Sequence, residues 1–82
     1  MGLKLRLAWY DRSTGQGERV EFSQDFGGDV SVMDELGLSI DNDINNGEFD
    51  VANEWLTILQ PLFMHSIDLG LFNYQISFNY KN

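Results

Sequence analysis

Leu3-Lys4-Leu5-Arg6-Leu7-Ala8-Trp9-Tyr10 sets a large apolar side chain at every odd position and a polar-ended or short one between. A period of two is the mark of a strand with one covered face. It turns Leu3, Leu5, Leu7 and Trp9 inward and leaves Lys4, Arg6, Ala8 and Tyr10 outside. The same period returns near the C-terminus, where Tyr74, Ile76, Phe78 and Tyr80 alternate with Gln75, Ser77, Asn79 and Lys81. Such strands predict an antiparallel sheet with one solvated face.

The intervening chain supplies the other elements. Asp11 to Gly17 reads as a turn with two glycines, and Arg19–Ser23 as a short second strand completing a hairpin, with Val20 and Phe22 facing inward. Gly27-Gly28-Asp29 interrupts the chain. Ser31 with Asp34 then resembles a capping box, and Val32, Met33 and Leu36 give one apolar side before Gly37, a residue suited to a left-handed cap. That predicts a helix of about two turns, too short to stand without packing on the sheet. Asn46-Gly47 closes a polar run from Ser39 as a turn signal. Residues 48–60 carry two patterns: a strand that turns Phe49, Val51 and Trp55 inward, or a helix lined by Phe49, Ala52, Leu56, Leu59 and Phe63. A strand start at Glu48 is favoured, with its end before Pro61 open. The expectation is a single α+β domain over residues 1–82, a small antiparallel sheet of about four strands with one short helix on one face.

An 82-residue chain buries only roughly 60–65% of the surface its unfolded form exposes. Eleven aromatic residues, Trp9 and Trp55 among them, supply bulk to so small a core. The absence of cysteine excludes a disulfide framework and a thiolate metal site. No apolar run is long enough for a secretory core or a bilayer span, and an anionic membrane surface would repel the chain. A cytoplasmic location, without membrane attachment, is expected.

Charge is distributed unevenly. From Glu18 to Glu54 there are eleven acids and one base, a net of −10, within a chain of −8. Such a block repels itself and attracts basic partners across a Debye length of ~8 Å in physiological salt. It equally serves solubility.

Candidate chemistry is sparse. Asp41-Asn42-Asp43-Ile44-Asn45-Asn46-Gly47 suggests a calcium loop, but an EF-hand beginning at Asp41 requires Gly where Asn46 stands and Glu where Ala52 stands. An Asx-rich turn is the better reading. His65 is the single histidine, so a transition-metal site would need carboxylates to complete it, and a structural role is expected. No spacing among the thirteen acids singles out an acid–base pair. Gly15-x-Gly17 and Gly27-Gly28 lie among acids that would repel a phosphate, and direct nucleic-acid binding fails for the same reason. No cofactor, metal or enzyme activity is expected. The outward sheet face remains: Tyr10, Glu48, Asp50, Gln75 and Ser77 fall on it by alternation. An aromatic anchor among acids suits an interface for a basic protein. An ordinary solvated face, with Lys4 or Arg6 pairing across strands to Glu48 or Asp50, is the plainer alternative.

The run Met1–Thr14, the pieces Ser23–Gly27 and Ser31–Gly37, then Asn45–Val51, Glu54-Trp55, Leu59–Pro61 and Ser77–Tyr80 together resemble the cloacin and colicin immunity proteins, in order and over nearly the full length. The resemblance implies a four-stranded antiparallel sheet with a short helix. It further implies an inhibitor made by a bacteriocin producer, which binds the toxin's basic, ribosomal-RNA-cleaving nuclease domain and covers it beside its catalytic residues. Blocking by bulk and negative charge needs no catalytic motif. The resembling family varies at the position of Glu48. It carries an aromatic where this chain has Gly15 and Gly17 in the first turn, and can carry one at Gln75; these differences bear on which toxin is the partner. Tyr10, Glu48, Asp50, Gln75 and Ser77 are the expected contact residues. The rival readings are an acidic adaptor or nucleic-acid mimic for another basic protein, and a small hydrolase with unplaced carboxylates. Self-association of the free protein is open.

Overall fold

A computed structural model of the chain describes residues 2–17 and 19–80. Glu18, with which the acidic block opens, and Lys81 lie outside the described residues. The elements run β1 (Leu3–Asp11), β2 (Arg19–Phe22), α1 (Ser31–Glu35), α2 (Ile40–Asp43) and β3 (Glu48–Asp50). A 3-10 turn (Asn53–Trp55), α3 (Leu56–Leu59), a second 3-10 turn (Gln60–Leu62) and β4 (Phe72–Tyr80) complete them. The sheet is antiparallel, in the order β2-β1-β4-β3. The two long strands are its centre, paired from Leu3 with Tyr80 to Asp11 with Phe72.

Alternation in the long strands builds the core. Leu3, Leu5, Leu7 and Trp9 of β1 meet Tyr74, Ile76 and Phe78 of β4, all buried. Val32, Met33 and Leu36 of the α1 region and Leu59 and Phe63 of the α3 region close over them. Each such side chain taken out of water contributes ~1.5–3 kcal/mol. Gly2 and Gly27 hold the start of β1 against the chain that follows β2. Leu3 N–H donates to the Gly27 carbonyl at 3.0 Å, and Phe26 N–H to the Leu3 carbonyl at 2.8 Å. A Cβ on Gly2, whose φ is 135°, would sit 2.2 Å from the Gly27 oxygen.

β2 has the opposite phase to the one expected. Cross-strand partners share a face, and Phe22 stands opposite Arg6 and Val20 opposite Ala8. Val20 and Phe22 are therefore on the outer face and exposed. Glu21, opposite Leu7, points inward, and its carboxylate accepts the backbone N–H groups of Met64 at 2.7 Å and His65 at 3.0 Å. A polar residue on the inner phase is retained because it satisfies loop backbone. β2 ends where the buried Ser23 hydroxyl accepts from Leu5 N–H at 2.9 Å, replacing a ladder carbonyl.

The capping box at Ser31 does not form. Ser31 is already helical, Val30 is the N-cap without a side-chain bond, and the Asp29 carboxylate accepts from Ser31 N–H at 3.0 Å. The C-terminal end follows the sequence: Gly37, at φ 76°, donates to the Asp34 carbonyl, and Leu38 N–H to that of Met33. Those two bonds make a Schellman motif, with Leu38 and Met33 packed in the same cluster. Residues 48–60 use both patterns in succession. The strand lasts three residues, and Trp55 N–H then donates to the Ala52 carbonyl to open the helical stretch. Phe49, Val51 and Trp55 pack half-buried against the core, while Leu59 and Phe63 are fully inside. The helical content is thus several short segments rather than one, within the expected α+β class.

Candidate partner-binding face

Register assembles the outer face in rows that cross all four strands. Phe22, Arg6, Ser77 and Glu48 form one row; Val20, Ala8, Gln75 and Asp50 form the next. Lys4 is opposite Asn79 and Tyr10 opposite Asn73, beyond the rows on either side. The five residues singled out by alternation therefore do share one face, concentrated on β4, β3 and the end of β1.

Within the first row the Arg6 guanidinium donates to the Glu48 carboxylate at 3.5 Å, across Ser77. Both side chains are partly exposed, so the pair stabilises the fold by only ~0.2–1 kcal/mol. In the second row the Gln75 amide donates to the Asp50 carboxylate. Both carboxylates of β3 are thus held from within the sheet, Asp50 by the adjacent β4 and Glu48 by β1 across β4, and face outward. Ser77 is only 7% exposed, which makes it the floor beneath the Arg6–Glu48 pair and not a contact surface. Tyr10, half-buried, borders a groove of about 600 Å³ whose lining includes Arg12, Gly15, Asp50, Asn73 and Gln75. Arg12 fixes one wall by donating from Nε to the Leu69 carbonyl at 3.0 Å.

Electrostatically the face differs from an aromatic among acids. Lys4 and Arg6 share it with Glu48 and Asp50, so these four charges balance. Much of the negative charge stands off the sheet, with Asp34 and Glu35 on α1, Asp41 on α2 and Glu54 in the first 3-10 turn, all exposed. The Arg6–Glu48 pair is one of the cross-strand pairings that the plainer reading of this face offered, whereas sequence reasoning missed Val20 and Phe22 as members of the face. Lys4 lies over the Phe22 ring, 6.0 Å from its centroid, tying β2 into the same surface. The β1–β2 register would have revealed Val20 and Phe22.

The remaining candidates are structural. His65 stacks on Trp9, and its Nε2 lies 2.7 Å from the Tyr74 hydroxyl. The Asx-rich loop is occupied by its own backbone. The Asn45 side chain donates to the Tyr80 carbonyl and accepts from Tyr80 N–H, and Asn45 N–H donates to the Phe78 carbonyl at 2.7 Å. Asp43 accepts from Ser39 N–H, and the Asn46 amide donates to the Asn42 carbonyl. Among the described residues no group of three or more His, Cys, Asp or Glu side chains is placed to hold a metal ion.

Against known families, residues 2–81 match the model of the cloacin immunity protein.

Proposed function

The chain belongs to the cloacin immunity protein family, and on that premise we propose that its outer sheet face binds the basic, ribosomal-RNA-cleaving nuclease domain of a cognate bacteriocin. Family membership gives a bacteriocin immunity role, and the family is one of inhibitors. The finer reading rests on Glu48 and Asp50, which β3 presents side by side on a face whose neighbours hold them in place. An arriving Arg or Lys replaces or joins Arg6 at Glu48. Because the resident pair is weak, that exchange surrenders little. Tyr10 offers a rigid aromatic at the edge of the groove, and Gln75 a polar contact beside Asp50. The off-sheet acids add long-range attraction for a basic domain. Inhibition follows from coverage and charge, with no chemical step by the immunity protein.

The site of action under this proposal is the cytoplasm of the producing cell, where its ribosomes are. Among the described residues, no helix is long and apolar enough to cross a membrane. The test is binding to a panel of purified rRNA-cleaving bacteriocin nuclease domains, followed by rescue of cell-free translation. One domain should bind and be silenced. Failure to bind any, or binding without rescue, overturns the proposal.

A further inference from the structure

The two sides of the outer face differ in chemistry. On β3 it carries Glu48 and Asp50; on β1 and β2 it carries Lys4, Val20 and Phe22. Phe22 is 54% exposed and Val20 39%, whereas every other aromatic ring of the described residues is buried or half-buried. Folding gains nothing from that exposure. The inner position of β2 belongs to Glu21, which serves the loop, so Val20 and Phe22 are left on the face where Glu48 also stands. Phe22 and Glu48 are the two ends of a single row.

Interface size decides whether a partner seated on Glu48 reaches Phe22. A stable complex covers ~800 Å² of each partner, which as a flat patch extends ~14 Å to either side of its centre. Neighbouring strands lie ~4.8 Å apart, which sets β2 ~12 Å from the line between β4 and β3. A footprint centred on Glu48, Asp50 and Gln75 therefore takes in β2. Interface centres favour aromatic side chains, and like charges brought together there are costly. The second rule bears on Lys4. Both carboxylates of the face are taken, Glu48 by Arg6 and Asp50 by Gln75, while the Lys4 ammonium lies over the Phe22 ring. A partner that set a base here, as at Glu48, would meet Lys4 directly. Covering Lys4 requires a negative charge from the partner.

We propose that the nuclease covers β2 as well as β3, seating an apolar side chain on Phe22 and Val20 and a carboxylate beside Lys4. The inference rests on the immunity reading and refines it. The face is bipolar, so the partner must carry the opposite order of charge, which admits one orientation. Any basic protein can supply a base at Glu48; the acid opposite Lys4 and the apolar group on Phe22 are what set the cognate domain apart.

The experiment measures Kd and dissociation rate for Phe22→Ala and Lys4→Glu against the nuclease domain of the panel that the wild-type protein binds. Both side chains are exposed, so both variants should keep the wild-type circular dichroism and urea midpoint. Phe22→Ala should raise Kd roughly thirtyfold, equivalent to ~2 kcal/mol. Lys4→Glu lowers the net charge by two, from −8 to −10, which by long-range attraction alone would tighten binding to a basic domain. It should instead speed dissociation roughly tenfold. Phe22→Ala binding as wild type does, or Lys4→Glu dissociating no faster, overturns this inference and leaves the immunity reading intact. A wild-type protein that binds no domain of the panel overturns both.

Discussion

The Trp9 indole lies flat on the His65 imidazole, with ring centroids 3.9 Å apart and planes 14° from parallel. His65 is held from several directions. Its N–H donates to Glu21, its carbonyl accepts from the Gln60 amide at 2.7 Å, and its Nε2 meets the Tyr74 hydroxyl. That hydroxyl also accepts from Asp68 N–H at 2.9 Å. With Nε2 as acceptor, the remaining phenolic proton completes the bonding of the Tyr74 hydroxyl. The stack thus joins the sheet to the chain between α3 and β4.

Trp9→Ala removes both the inner-face bulk and the platform for His65. The expected loss is ~3–5 kcal/mol, read as a lower denaturation midpoint in urea. Normal stability with lost toxin binding would reverse the assignment of the two sheet faces.

Tyr74→Phe leaves Asp68 N–H and His65 without the shared hydroxyl and should cost ~1–3 kcal/mol at neutral pH. Burial holds the Tyr74 phenol above its ordinary value of 10.0. The unfolded chain therefore ionises first. The phenol's contribution is complete below pH 10.0 and is lost as pH rises through the folded value. Stability measured across alkaline pH should fall less steeply in Tyr74→Phe than in wild type.

Asp29 governs the acid side of α1. Hydrogen bonds from the Ser31 backbone and side chain hold its carboxyl below 3.8. Its contribution is present above that value and disappears as pH falls through the lower folded one. Thermal unfolding should show Asp29→Ala less stable than wild type at neutral pH, with the two curves converging in acid.

Glu48→Ala breaks an exposed pair, so folding stability should change by no more than ~1 kcal/mol. Dissociation from the cognate nuclease should quicken by an amount equivalent to ~2–5 kcal/mol. Asp34→Ala, on the helical side, is the control. Equal dissociation rates for the two variants would place recognition elsewhere.

Association with the nuclease should be steered by charge, reaching ~10⁸–10⁹ M⁻¹s⁻¹ at low salt and slowing steeply as salt rises. Stopped-flow mixing over a salt series measures this. A flat rate would remove the acidic block from the encounter step.

The long strands were legible because Leu3 to Tyr10 and Tyr74 to Tyr80 obey a strict period of two, and burial follows it. β2 was not, because its apolar residues face solvent and its inner glutamate serves a loop 43 residues further along the chain, a relation invisible to local pattern. Residues 51–62 defeated a single period because strand, 3-10 and α geometry follow one another within a few residues. For the face, alternation gathered Tyr10, Glu48, Asp50, Gln75 and Ser77 correctly into one surface. It could not show that Ser77 is covered, nor which of Lys4 and Arg6 engages which β3 carboxylate, since both depend on strand order and register.

The strand order places the first and last elements of the chain side by side at the middle of the sheet. A growing polypeptide has β1 and β2 early, but the strand that both β1 and β3 need is translated after all of them. Until β4 leaves the ribosome, the inner face of β1 has no opposite half, and β3 has no neighbour on which to arrange Glu48 and Asp50. Folding must therefore wait for β4 and then close its most distant contacts, a slow topology for so short a chain.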